Sequence, residues 1–145
     1  MTSKARFRKH ERLKSRKTIS ELFAKSQSFG QYPLRIIWDE KINTDQTPNT
    51  FPAQVCVSVP KRNFKKAVHR NRIRRQVSES YRLQKDALYD AILTHKPQSN
   101  FAIVLMFTSK TMTSYQDIHN AISSIFRRFE KFVLLPTPNN NNENN

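Results

Sequence analysis

The seven residues 101–107, FAIVLMF, are apolar at every position. A strand with one wet face alternates apolar and polar side chains, so a run that is apolar at both parities suits an inner strand covered on both sides. Any fold for this chain must therefore place cover on both faces of a sheet, and the flanking sequence supplies helices to do it.

The last helix is the clearest. Ser114 and Asp117 form a capping-box pattern, and Ile118, Ile122, Ile125, Phe129 and Phe132 then recur along one helical face. Near the N-terminus, TISELFAKS begins with Thr18, has Glu21 three residues on, and carries Ile19, Leu22 and Phe23 on one side, which predicts a short helix. Leu34, Ile36 and Trp38 line one side of a strand in PLRIIWDE, and the polar KINTDQTPNT that follows reads as a loop. In AQVCVSV, Ala53, Val55 and Val57, with Val59, alternate with Gln54, Cys56 and Ser58, and Pro60 ends the strand.

Residues 67–82, AVHRNRIRRQVSESYR, hold five arginines, yet Ile73, Val77 and Tyr81 still recur every four residues as on a buried helix face. At about 100° per residue, Asn71, Arg75, Ser78 and Arg82 fall opposite that stripe, with Arg72 and Arg74 flanking it. Leu88 and Ile92 extend the stripe, either as one helix or as a second one restarting after Lys85. The order helix, strands, basic helix, strand, helix describes an α/β sandwich on one sheet. A helical crossover of this length makes the strands on either side of the basic helix parallel neighbours.

The charge is as uneven as the hydrophobicity. Lys and Arg number 26 against 11 acids, a net charge of +15 over 145 residues. Residues 1–30 and 60–85 carry most of the excess, and segregation of one sign in two blocks points to a polyanionic partner rather than to general solubility. Clustered arginines repel one another unless an anion lies against them, and the planar guanidinium binds phosphate oxygens two at a time. PKRNFKK, entering the helix, adds Lys61, Arg62, Lys65 and Lys66 to the same surface.

Several functions are disfavoured by what is scarce. One cysteine, Cys56, excludes an internal disulfide framework, and the four histidines have no zinc-ligand spacing, so no metal site follows from side-chain motifs. A nuclease acting by itself would need clustered carboxylates, which both basic blocks lack, and His69 beside Arg70 reads as a solvent-facing helix-start residue. A membrane-surface helix is disfavoured because the face beneath the arginines looks like ordinary core. With no signal sequence and no apolar span, the expected location is cytoplasmic; the alternative is that the Arg/Lys-rich start is an organelle transit peptide.

KKAVHRNRIRRQVSESYR resembles the signature of the protein subunit of bacterial ribonuclease P: Ala-Val, then Arg-Asn-Arg, a basic pair and an acidic residue. Arg70, Asn71, Arg72, Arg74, Arg75 and Glu79 match position by position, VCVSVPKR stands where that family has a strand with a basic exit, and RLKSRKTISELFAKS resembles its N-terminal helix. The likeness spans roughly residues 12–132. Three features depart from the family: Lys65 and Lys66 with an extra residue where a glycine is frequent, Ser78 where a basic residue is common, and Ile19 at an aromatic position, which leaves Phe23 as the remaining aromatic.

The resemblance implies an α+β sandwich with three helices and a single mixed sheet of about four strands, in the order α-β-β-β-α-β-α. It also implies a left-handed βαβ crossover like that of the second domain of a small-subunit ribosomal protein. Residues 1–136 would form one RNA-binding domain with a flexible basic arm at 1–14, and the Asn-rich 137–145 would be disordered. The implied function is that of an accessory protein subunit of an endoribonuclease that removes the 5′ leader of precursor tRNA. The RNA subunit would carry the chemistry and hold most of the Mg²⁺, with no catalytic residue in the protein and no required protein partner.

Lys61, Arg62, Lys65, Lys66, Arg70, Asn71, Arg72, Arg74, Arg75 and Arg82 would bind RNA. Arg16, Lys17, Ile19, Phe23 and Phe7 are candidates for the leader, although Phe23 could equally be core of a small helix. The rival within nucleic-acid binding is a ribosomal or other structured-RNA-binding protein with no role in cleavage.

Overall fold

The computed structural model describes residues 7–25, 27–42 and 52–135. Three helices, α1 (Arg16–Lys25), α2 (Ala67–His95) and α3 (Tyr115–Phe129), alternate with strands β1 (Gln27–Gln31), β2 (Leu34–Ile42), β3 (Ala53–Ser58) and β4 (Ser99–Phe107) in the order α-β-β-β-α-β-α. The strands form one mixed sheet, β1-β2-β4-β3, with β4 antiparallel to β2 and parallel to β3.

The all-apolar segment thus lies in an inner strand. Phe101, Ile103, Leu105 and Phe107 point to one face, where they pack with Leu34, Ile36 and Trp38 of β2, Ile73, Val77 and Tyr81 of α2, and Ile118, Ile122 and Ile125 of α3. Aromatic edges tie this core together: Phe129 meets both Trp38 and Phe101, with ring centroids 5.4 and 5.2 Å apart. The opposite face is covered more thinly. Leu13 and Leu22 bury Ile37 and Val104, while Cys56, Ala102 and Met106 stay partly open. A ten-residue helix spans only about 15 Å, too short to roof the whole sheet.

Residues 67–95 form one helix rather than two, because Leu88 and Ile92 continue the buried stripe without a break. α1 begins earlier than the Thr18 box suggests: Ser15 is its cap, its Oγ accepting the Thr18 N–H at 3.2 Å. Ser114 caps α3 as expected, accepting the Asp117 N–H at 3.0 Å. The apolar stripe of α3 does not reach Phe132, which is 65% exposed. A π turn over Glu130–Leu134, closed by the Leu135 N–H on the Glu130 carbonyl, shifts the helical phase so that Leu134 turns inward instead.

The expectation of a flexible arm at 1–14 fails over residues 7–14, which are fixed to the sheet. The Leu13 N–H bonds the Val55 carbonyl at 2.9 Å, and Glu11 is buried in an ion pair with Lys85. The Asn-rich tail and most of the loop after β2 lie outside the described residues.

Candidate nucleic-acid interface

Loop 60–66 is pinned from within. Val59 and Phe64 are buried, the latter 5.8 Å from the Phe107 ring, which leaves Lys61, Arg62, Lys65 and Lys66 exposed. Arg70 closes the loop: its guanidinium donates to the Phe64 and Lys65 carbonyls at 2.7 and 2.8 Å. Both bonds use one guanidinium nitrogen, so Arg70 shapes the loop while its other N–H groups stay available beside the RNA-facing candidates.

Beyond it, α2 starts against every ordinary electrostatic preference. Its first turn has no acid, its N-cap Lys66 offers no side-chain acceptor, and the positive end of the helix dipole is surrounded by Lys65, Lys66, Arg70 and Arg72. Such an arrangement is self-repelling and favours an anion at that end.

The remaining helix candidates share this outer surface. Asn71 accepts from Arg74 at 3.0 Å and so orients it, whereas Arg72 and Arg75 are exposed and have no intramolecular partner among the described residues. Arg82, two turns beyond Arg75, forms a bidentate pair with Glu79 at 3.1 and 2.7 Å, and that guanidinium holds the Glu79 carboxyl below its usual range.

The leader candidates separate into two places. On α1, Arg16 and Lys17 are exposed, Ile19 is half-buried against the Leu22 cluster, and Phe23 is 48% exposed and therefore not core. They border the partly open sheet face, where Cys56, Ala102 and Met106 give an apolar floor. Arg35, opposite Met106 in register, adds a cation steadied by Ser28 at 3.1 Å. Phe7 is elsewhere. It packs against Tyr81 on the α2 side, 5.3 Å between ring centroids, with the Arg12 guanidinium 4.4 Å above it, and it lines both grooves beside that helix.

Three cationic groups, Arg35, Arg12 and Lys14, escaped the sequence reading. Strand alternation could have found Arg35, since it stands between the buried Leu34 and Ile36. Arg12 lines a groove of about 260 Å³ with Lys14, Cys56, Arg74 and Ser78, and another of about 330 Å³ with Phe7, Arg75, Ser78, Glu79 and Arg82. Nothing local in the sequence pairs Arg12 with residues some sixty positions away. Among the described residues no three His, Cys, Asp or Glu side chains gather as metal ligands, and no helix is long and apolar enough to cross a membrane.

The chain is similar to known proteins along most of its length. The family model described as Ribonuclease P matches residues 7–130. The ribonuclease P protein component of Porphyromonas gingivalis is 33% identical over 124 residues, covering 84% of this chain and 86% of its own length. That of Chlorobium phaeobacteroides is 28% identical over 124 residues, covering 81% and 84%. Among solved structures, the ribonuclease P protein of Thermotoga maritima superposes with a TM-score of 0.59 at 19% identity, covering 81% of this chain and 96% of that one. The Staphylococcus aureus protein gives 0.55 at 18%, covering 86% and 98%. A shared fold and a family match along most of the chain lead to one conclusion: this chain belongs to the ribonuclease P protein family and is a protein subunit of that enzyme.

Proposed function

We propose that this subunit binds the catalytic RNA of ribonuclease P through loop 60–66 and the arginine face of α2, and receives the 5′ leader of precursor tRNA beside α1. The observation that carries the reading is the start of α2, where Lys65, Lys66, Arg70 and Arg72 surround the positive end of a helix that has no acid in its first turn and exposed Arg74 and Arg75 continue the basic surface. A phosphodiester backbone relieves that repulsion, and its binding releases counterions, so affinity falls steeply with salt.

The RNA-facing set is Lys61, Arg62, Lys65, Lys66, Arg70, Asn71, Arg72, Arg74, Arg75 and Arg82, with Arg70 also shaping the loop. On the leader side, Phe23 offers a half-exposed ring for base stacking, Ile19 and the sheet floor exclude water, and Arg16, Lys17 and Arg35 face phosphates. The groove linings fit no protein-borne Mg²⁺ site: they present guanidinium, ammonium and hydroxyl groups, a thiol, and one carboxylate already paired with Arg82. In this reading the RNA subunit holds most of the Mg²⁺ and supplies the hydrolytic chemistry of tRNA 5′ maturation, and the assembled particle acts in the cytoplasm.

Two measurements test this. Protein with precursor tRNA and Mg²⁺ but no RNA subunit should leave the substrate whole, and specific 5′ cleavage there would overturn the assignment. Arg74→Ala with Arg75→Ala should weaken binding to the RNA subunit and lower the slope of log affinity against log salt by about one per lost phosphate contact. Unchanged affinity and slope would remove the helix from the interface.

A further inference from the structure

Residues 7–14 cross the free edge of the sheet as a strap. Arg12 pairs with Val55 in a parallel bridge, the Leu13 N–H bonds the Val55 carbonyl, and Gln54 Nε2 donates to the His10 carbonyl at 3.0 Å. Its fixing point is Glu11, only 2% exposed, whose carboxylate receives Lys85 Nζ at 2.8 and 2.6 Å, the Tyr89 hydroxyl at 2.6 Å and the Arg8 N–H at 2.6 Å. Lys85 is 3% exposed. A buried ion pair adds little net stability over an apolar pair of the same volume; what it provides is one permitted geometry. Four hydrogen bonds on two oxygens allow the strap a single placement on α2.

That placement carries Arg12 and Lys14 to the grooves whose other wall is Arg74, Ser78, Arg75 and Arg82. We propose that strap and helix together form one phosphodiester-binding groove, with Arg12 as its second-wall cation and Glu11 as the positioning residue that holds Arg12 there. This rests on the RNA-binding reading above and extends it. This groove is assembled by a contact between residues 74 positions apart.

The test titrates the ribonuclease P RNA of the same organism, transcribed in vitro, with full-length protein over a salt series. Arg12→Ala should weaken binding about tenfold, the worth of one charge-assisted contact, and lower the salt slope by about one. Glu11→Gln should produce the same loss and reduce hydrogen-exchange protection of the Leu13 amide while β4 amides stay protected. In the Glu11→Gln background, Arg12→Ala should add no further loss. Should Glu11→Gln fail to fold, Glu11→Asp, which keeps the charge and shortens the reach, takes its place in the cycle.

If Arg12→Ala leaves the slope unchanged while Arg74→Ala/Arg75→Ala lowers it, the two-walled groove is refuted and the helix interface stands. If neither lowers it, the RNA-binding reading falls as well. Full additivity of the Glu11 and Arg12 substitutions would refute the positioning role alone.

Discussion

Replacing Phe23 with alanine separates two physical roles that one aromatic on a short helix can have. Truncating a fully buried phenylalanine costs about 3–5 kcal/mol. Phe23 is 48% exposed, so roughly half of that contact area is already in water and the folding cost should stay below about 2 kcal/mol. For a chain of this size that lowers the melting temperature by a few degrees, on the order of 2–4 °C per kcal/mol. A base stacked on the ring is worth about 1–3 kcal/mol, which weakens substrate binding by about five- to 150-fold when the ring is removed. The assay compares two precursor tRNAs with the assembled enzyme, one with a long leader and one trimmed to a single leader nucleotide. A stacking platform affects only the long-leader substrate, because the short one does not reach α1. Equal effects on both substrates, or on neither, would refute the placement of the leader beside α1.

Three further outcomes follow from the packing. The Glu11 carboxyl is raised by burial but pulled further down by its hydrogen bonds to Lys85, Tyr89 and Arg8, so its folded pKa lies below the unfolded one. Its stabilisation is therefore present above the ordinary carboxylate range and is lost as pH falls through the folded pKa; urea melts should show wild type losing stability more steeply than Glu11→Gln below about pH 4. Lys85→Met alone leaves a buried carboxylate uncompensated and should cost about 3–5 kcal/mol, whereas Glu11→Leu with Lys85→Met should recover most of that loss in chemical denaturation. Ser114→Ala removes the cap of α3 and should cost about 1 kcal/mol, read from the same melts.

Period alone made most of the architecture legible. FAIVLMF suited an inner strand, the four-residue spacing of Ile73, Val77 and Tyr81 matched a buried helical stripe, and both patterns are local consequences of backbone geometry. β1, residues QSFGQ, has no alternating signature because its side chains are mostly exposed at the sheet edge. The π turn after α3 was equally hidden: the sequence goes on offering Phe132 to the stripe while the main chain changes pitch beneath it.

The candidate site divides along the same line. A cluster of arginines on one helix face is a local fact, so spacing and charge sufficed to raise the expectation of a polyanionic partner. Only the tertiary structure decided how each cation is used. It placed one nitrogen of Arg70 on two carbonyls, set Phe7 beside Tyr81 at the groove, left Phe23 half in water, and brought Glu11 to Lys85. Each of these depends on a neighbour that packing chose, in most cases far along the chain. Periodicity reports which way a side chain points from its own element, not what stands opposite it.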